Sequence, residues 1–183
     1  MRLPFPNNFP AELRLLEESD AEELFSLVNR NRAYLREWLP WLDGNTTLDD
    51  SRLFILHSTE QHLGNRGFQA GAWYESSLAG IIGYHPIDWQ NRIGMIGYWL
   101  GKEYQGKGIM TEAARLLIDH AFNEYDLNRI EIKCATGNRK SCAIPQRLGF
   151  AHEGIIRDGE WLYDHFVDLA LYSMLSRQWK NSR

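Results

Sequence analysis

The stretch IGYWLGKEYQGKGIMTEA, residues 96–113, constrains the fold of this 183-residue chain more than any other. A β-type apolar run ends at Leu100, and a loop holding Gly101, Gly106 and Gly108 follows. Met110, Ala113, Ala114, Leu117, Ile118, Ala121 and Phe122 then recur at helical spacing, with Arg115, Asp119 and Glu124 off that stripe. A strand therefore passes through a glycine loop straight into a helix. A helix that begins at Gly108 leaves its first amides unpaired, and its macrodipole puts roughly half a positive charge at that end. Gly106 and Gly108 let an anion approach the backbone without Cβ interference, and Lys107 adds a cation. A phosphate or pyrophosphate cradle is the functional reading. The competing one is that the glycines only make the turn.

The loop narrows the choice of phosphate. Gly101, Gly106 and Lys107 satisfy a P-loop up to Gly108, which stands where Ser or Thr should hold magnesium. The following strand, RIEIKCATGN, ends without an acid for the metal, which disfavours a nucleoside triphosphatase. A dinucleotide fingerprint fails at Thr111. What remains is a pyrophosphate held by amides alone, and coenzyme A fits that description.

The rest of the chain supplies one sheet and its helices. Ser19 and Glu22 read as a capping box ahead of Leu24, Leu27, Val28 and Leu35, with a short strand before them. Pro40 and Asp43-Gly44 break a tryptophan-bearing turn region, and Thr47 with Asp50 restarts a helix that runs to Gly64. FQAGAWY, SLAGIIGYHPI and RIGMIGYWL then suggest an antiparallel meander. RIEIKCA is a further strand, SCAIPQRLGF a short helix ended by Gly149, and HEGIIRDGEWLYDHFVDLALYSMLSRQW a strand pair turning at Tyr163-Asp164. The fold class is α+β, an α/β layer with one mixed, mostly antiparallel sheet of about seven strands flanked by helices.

Composition excludes several functions. With 183 residues, 44% hydrophobic and 24% charged, residues 1–183 are expected to form one globular domain. The formal charge of −4 gives no global attraction to nucleic acid or to a membrane surface. The N-terminus MRLPFPNNFP holds three prolines and no continuous apolar core, so neither a signal peptide nor a span is read there, and a cytoplasmic location follows. Cys134 and Cys142 are expected to stay unbridged in that compartment. No metal is expected, because the histidines pair with neither cysteine at a zinc-like spacing and His57 and His62 diverge on a helix.

Two motifs at the right separation carry a resemblance. YWLGKEYQGKGIMTEA resembles motif A of the GNAT N-acetyltransferases, Q/R-x-x-G-x-G/A, with Gln105 and Gly108 in place and Met110 where Gly or Ala is usual. GNRKSCAIPQRLGF resembles the downstream motif, an N-x-x-S given by Asn138 and Ser141 followed by a short helix and L-G-F. The element order along the whole chain is also that family's. LREWLPWLD, IGYWL, QGKGIMTEA, IEIKCA and LGF together are similar to the ribosomal-protein Nα-acetyltransferases of the RimL and RimJ type.

This resemblance implies a GNAT fold in which acetyl-CoA, as co-substrate, wedges between the strand ending at Leu100 and the one starting near Arg129. Its pyrophosphate would lie on the loop after Gln105, on the amides of Gly106, Lys107, Gly108, Ile109, Met110 and Thr111. Its pantetheine arm would add to the strand edge at Trp99 and Leu100, held by Asn138. Acetyl transfer needs a neutral amine, a donor for the thioester oxygen, and a proton for the leaving thiolate. The resemblance implies Ser141 beside the sulfur and Glu160 as base. The bland readings are Ser141 as the N-cap of its helix and Glu160 as a solvent-facing hairpin residue. Met95 occupies a position that often carries a glutamate base in the family, which makes Glu160 or a water chain more necessary. Cys134 reads as a buried spectator thiol able to pair with CoA as a mixed disulfide. Trp38, Trp41, Trp89 and Trp161 read as core and rim packing, with Trp38 and Trp161 the candidates for lining the acceptor pocket. The implied acceptor is a protein N-terminus, with a small amine such as a polyamine or aminoglycoside, or a non-catalytic acyl-CoA-binding module, as the alternatives. The branch analogy implies a homodimer.

Overall fold

Short apolar runs that alternate or bury both faces become strands here, and the amphipathic stretches cover them. The computed structural model describes residues 2–7 and 9–181. In chain order the elements are β1 (Arg2–Pro4), β2 (Ala11–Leu15), α1 (Ala21–Arg36), α2 (Leu48–Leu63), β3 (Gln69–Tyr74), β4 (Ser77–Tyr84) and β5 (Ile93–Leu100). Then come α3 (Ile109–Asn123), β6 (Arg129–Ala135), α4 (Arg139–Arg147), β7 (Ala151–Leu162), β8 (His165–Leu175) and α5 (Ser176–Asn181). The strands form one open sheet in the order β1-β2-β3-β4-β5-β6-β8-β7. All neighbours run antiparallel except β5 and β6, which are parallel.

Each sheet face has its own core. Ile96, Ile130, Ile132, Tyr172 and Met174 pack with the stripe of α3, including Ala113, Leu117 and Ile118. On the other face Trp73, Leu78 and Ile81 pack with Leu24, Leu27, Val28 and Leu35 of α1 and Ile55 of α2. Burying residues of this size is worth about 1.5–3 kcal/mol each, so the two layers fix the sheet between them.

The sheet has eight strands where about seven are expected, because Arg2–Pro4 pairs with Glu12–Arg14. A three-residue segment ending in proline carries no alternation to read. The first capping box also differs. Glu17 and Asp20 form it around a 3-10 turn, while Ser19 and Glu22 do not, because the Asp20 carboxylate accepts from the Glu17 N–H and pairs with Arg14 at 2.8 Å. The second box is as expected, Thr47 and Asp50 capping α2 reciprocally. At the other end the final strand stops at Leu175, and Ser176–Asn181 turn into helix α5, whose Trp179 Nε1 donates to Asp119 at 2.7 Å.

What positions the site is a single irregularity. β5 pairs with β4 at Ile96–Leu100, and with β6 only at Ile93, Gly94 and Met95. Beyond Met95 and Glu131 the two strands part. Residues 96–100 therefore present a strand edge with no ladder partner on the β6 side, and such an edge is open to an added amide chain.

Candidate active site

The parted strands open into a cavity of about 810 Å³, within the size range of cofactor sites. Tyr98, Trp99 and Leu100 form its strand wall, Gln105, Gly106 and Gly108 its loop, and Ile109, Met110 and Thr111 the first turn of α3. The end of α1 contributes Tyr34, Leu35 and Trp38, and the start of α4 contributes Asn138 to Ser141.

Gly106 and Gly108 hold φ angles of +75° and +80°, and a Cβ added at either would meet no atom within 4 Å. Conformation, not crowding, demands glycine there. The open space above both is a cradle that side chains would intrude upon. Gly108 is also the N-cap of α3 and offers no side chain to its amides, so the helix start keeps its donors for an anion.

The cation at the cradle is not the expected one. Lys107 turns away, its Nζ lying 4.5 Å from the centre of the Tyr74 ring and 5.7 Å from that of Tyr104. The cations that line the cavity are Arg139, Lys140 and Arg147. Arg147 donates to Thr111 Oγ1 at 3.0 Å. Lys140 donates to Gln105 Oε1 at 2.7 Å, and Gln105 donates in turn to the Tyr34 hydroxyl, so Gln105 joins α4 to α1 across the mouth of the cavity. In sequence, Arg139 and Lys140 are the two middle residues of N-x-x-S, and their charge was the available signal.

Ser141 is not the cap of its helix. Asn138 is, with Oδ1 accepting the Ser141 N–H at 3.1 Å, which leaves the serine hydroxyl free of capping duty. Tyr98, absent from the sequence-derived candidates, donates its hydroxyl to the Ser141 carbonyl at 3.0 Å. Cys134 and Cys142 are buried free thiols. Burial pushes the Cys134 thiol well up, which disfavours the thiolate.

Glu160 lies apart from the cavity wall, on β7 opposite Val167. Cross-strand partners share a face of the sheet. Val167 lines a second groove of about 590 Å³ with Arg36, Glu37, Trp38, Asp43 and residues 162–165. Trp38 borders both spaces; its ring comes within 3.2 Å of where a Cβ on Gly137 would sit. Glu160 is half-buried, and burial raises its carboxyl above the ordinary range. A β-bulge between Ile156 and Glu160 aims it, and Gly159 is required there because its Cβ would stand 2.9 Å from Leu169. Trp161 points to the opposite face, 51% exposed and stacked edge-on to Phe166, and lines neither space. Trp41 packs near Trp99, and Trp89 donates to the Asn65 carbonyl. Met95 pairs with Glu131 at the last rung before the strands part.

Among the described residues no group of three or more His, Cys, Asp and Glu is arranged to hold a metal ion, and no helix is long and apolar enough to cross a membrane.

The sheet thus splits between two parallel strands at a cavity that holds a glycine-capped helix start, with a second groove that shares Trp38 with it. Residues 11–151 match the Acetyltransferase (GNAT) domain family, and the chain belongs to it, which makes the protein an N-acetyltransferase. It is 42% identical over 172 residues to the provisionally named ribosomal N-acetyltransferase YdaF of Bacillus subtilis (strain 168), covering 93% of this chain and 94% of that one. It is 30% identical over 164 residues to the ribosomal-protein-serine acetyltransferase of Escherichia coli (strain K12), covering 90% and 92%. A solved structure of RimL, the ribosomal L7/L12 α-N-protein acetyltransferase, bound to coenzyme A as a cysteine disulfide, superposes with a TM-score of 0.91 at 28% identity, covering 96% of this chain and 98% of that one.

Proposed function

We propose that this N-acetyltransferase moves the acetyl group of acetyl-CoA to the N-terminal α-amino group of a ribosomal protein. The observation that carries the reading is the second groove, which shares Trp38 with the cavity and is lined by the strand pair on one wall and the end of α1 on the other. A chain terminus can enter such a groove. The names of the YdaF and RimL relatives point to the same acceptor class.

The amides of Gly106 to Thr111 receive the pyrophosphate, assisted by Arg139, Lys140 and Arg147. The free edge at Trp99 and Leu100 pairs with the amides of the pantetheine arm, and the Asn138 side-chain N–H₂ donates to it. Backbone N–H groups on that edge also meet the thioester oxygen as it gains charge. Glu160 removes the proton of the acceptor ammonium, directly or through water, and Trp38 packs over the approaching chain end. The amine nitrogen then bonds to the acetyl carbon, the carbon–sulfur bond breaks, and the second proton that the nitrogen sheds on becoming an amide passes, directly or through water, to the departing thiolate to give the CoA thiol. The Ser141 hydroxyl hydrogen-bonds to the departing thiolate and orients it; a serine hydroxyl is too weak an acid to do more.

The test is mass spectrometry of unmodified ribosomal proteins incubated with acetyl-CoA and the enzyme. One added acetyl group on the α-amino group of one of them is the expected product. No acetylated N-terminus, with turnover on polyamines instead, would reject the reading.

A further inference from the structure

Helix α4 contains a proline in its interior, Pro145. In an α-helix the carbonyl of each residue accepts from the N–H four positions later, and proline has no N–H to give. The carbonyl deprived by Pro145 is that of Ser141. A backbone acceptor held away from water requires another donor. The Tyr98 hydroxyl, crossing from β5 to α4, supplies it at 3.0 Å. Tyr98 belongs to the part of β5 that has already separated from β6, so this bond spans the opening itself. On the other side Asn138 holds the Ser141 N–H at 3.1 Å. The backbone of Ser141 is thus gripped at both its donor and its acceptor. Burial also keeps the phenol protonated, the form that can donate.

We propose that Tyr98 is a positioning residue for acetyl transfer: through the carbonyl that Pro145 leaves open, it fixes the first turn of α4, and with it the Ser141 hydroxyl, against the splayed strand. This rests on the reading above in which Ser141 meets the leaving sulfur. The sequence rule is compact, a tyrosine near the end of the splayed strand answering a proline four residues after the serine.

The experiment compares Tyr98→Phe, which keeps the ring and removes the O–H, in two backgrounds. In the native chain kcat falls about tenfold, the rate equivalent of one hydrogen bond that fixes a reacting group, while Kd for CoA and KM for acetyl-CoA change by less than about twofold. In Pro145→Ala, whose restored N–H can take the Ser141 carbonyl, adding Tyr98→Phe lowers kcat by less than about twofold. A general packing role for Tyr98 predicts no such rescue. Melting curves of all four proteins are measured beside the kinetics, and a kcat loss that tracks melting overturns the proposal. So does an equal loss in both backgrounds. Ser141→Ala separates the two ideas: if it is slow while Tyr98→Phe turns over at the native rate, the positioning role fails and the role of Ser141 stands. A native rate in Ser141→Ala removes the role of Ser141 itself, and the positioning proposal with it.

Discussion

Gly108 shows how one residue can be chosen for its backbone alone. Its φ of +80° is available to glycine at no cost, and the space above it is empty of protein atoms. Gly108→Ala should therefore weaken CoA binding by about tenfold, both by straining the helix start and by placing a methyl in the cradle. Lys107→Ala should change that affinity by less than about twofold, since its ammonium rests on Tyr74 and Tyr104. Calorimetric titration with CoA distinguishes the two, and equal losses would return Lys107 to the phosphate site. Glu160 makes the second prediction at this scale. A base must be ionised to accept a proton, so kcat/KM should fall as pH drops through a value above the usual glutamate range. Because the folded-state pKa is raised, ionisation at neutral pH opposes folding, so Glu160→Gln should lose activity and that acid limb while melting slightly higher. A wild-type pH profile in Glu160→Gln would assign proton removal to water or another group.

Among the elements, the ends of helices and one ion pair carry the testable energies. Thr47 accepts the Asp50 N–H while Asp50 accepts from Thr47, so Thr47→Ala should cost about 1 kcal/mol of stability with activity unchanged, read by denaturant melts. The Arg129 guanidinium and the Ser173 hydroxyl hold Glu153 down at about 2, tying β6 to β7 and β8. A depressed carboxylate pKa adds stability above its unfolded value near 4.3 that is lost as pH falls toward 2. Glu153→Gln should flatten stability across that window relative to the native chain, and an unchanged acid-unfolding profile would deny the pair any role. At this scale the sequence was legible wherever a signal was local. Thr47 and Asp50 announced α2 because the partners of the box are three residues apart and Asp50 takes its hydrogen bonds from Thr46 and Thr47 beside it. Ser19 and Glu22 carried the same pattern and misled, because Arg14 claims Asp20 from a neighbouring strand. β1 and α5 were hidden for a related reason: one is made by pairing with Arg14 and its neighbours, the other is fixed by Trp179 reaching Asp119.

In the whole molecule, one broken ladder does the organising. Because β5 leaves β6 after Met95, the same gap offers a strand edge and a helix start, and the groove that shares Trp38 with it is lined by Val167, the cross-strand partner of Glu160. The glycine loop was readable as a strand-to-helix turn because the positive φ at Gly106 and Gly108 calls for glycine, whereas the role of Ser141 was implied only by the resemblance. Tyr34, Arg139, Lys140 and Arg147 were not, because which of their faces meets the cavity depends on how α1 and α4 are rotated against the sheet; Tyr98 was not, because its partner, the Ser141 carbonyl, lies 43 positions away on α4. Which side of the hairpin Glu160 and Trp161 face was not legible either, since the bulge before Glu160 sets it. In the proposed reaction this gap brings acetyl-CoA to a protein N-terminus. That reaction is tested most directly by thiol release from acetyl-CoA against peptides beginning with Ser, Ala or Met, run beside spermidine and an aminoglycoside. Turnover is expected on at least one peptide with kcat/KM well above either small amine; turnover confined to the small amines would rule out the N-terminal acceptor.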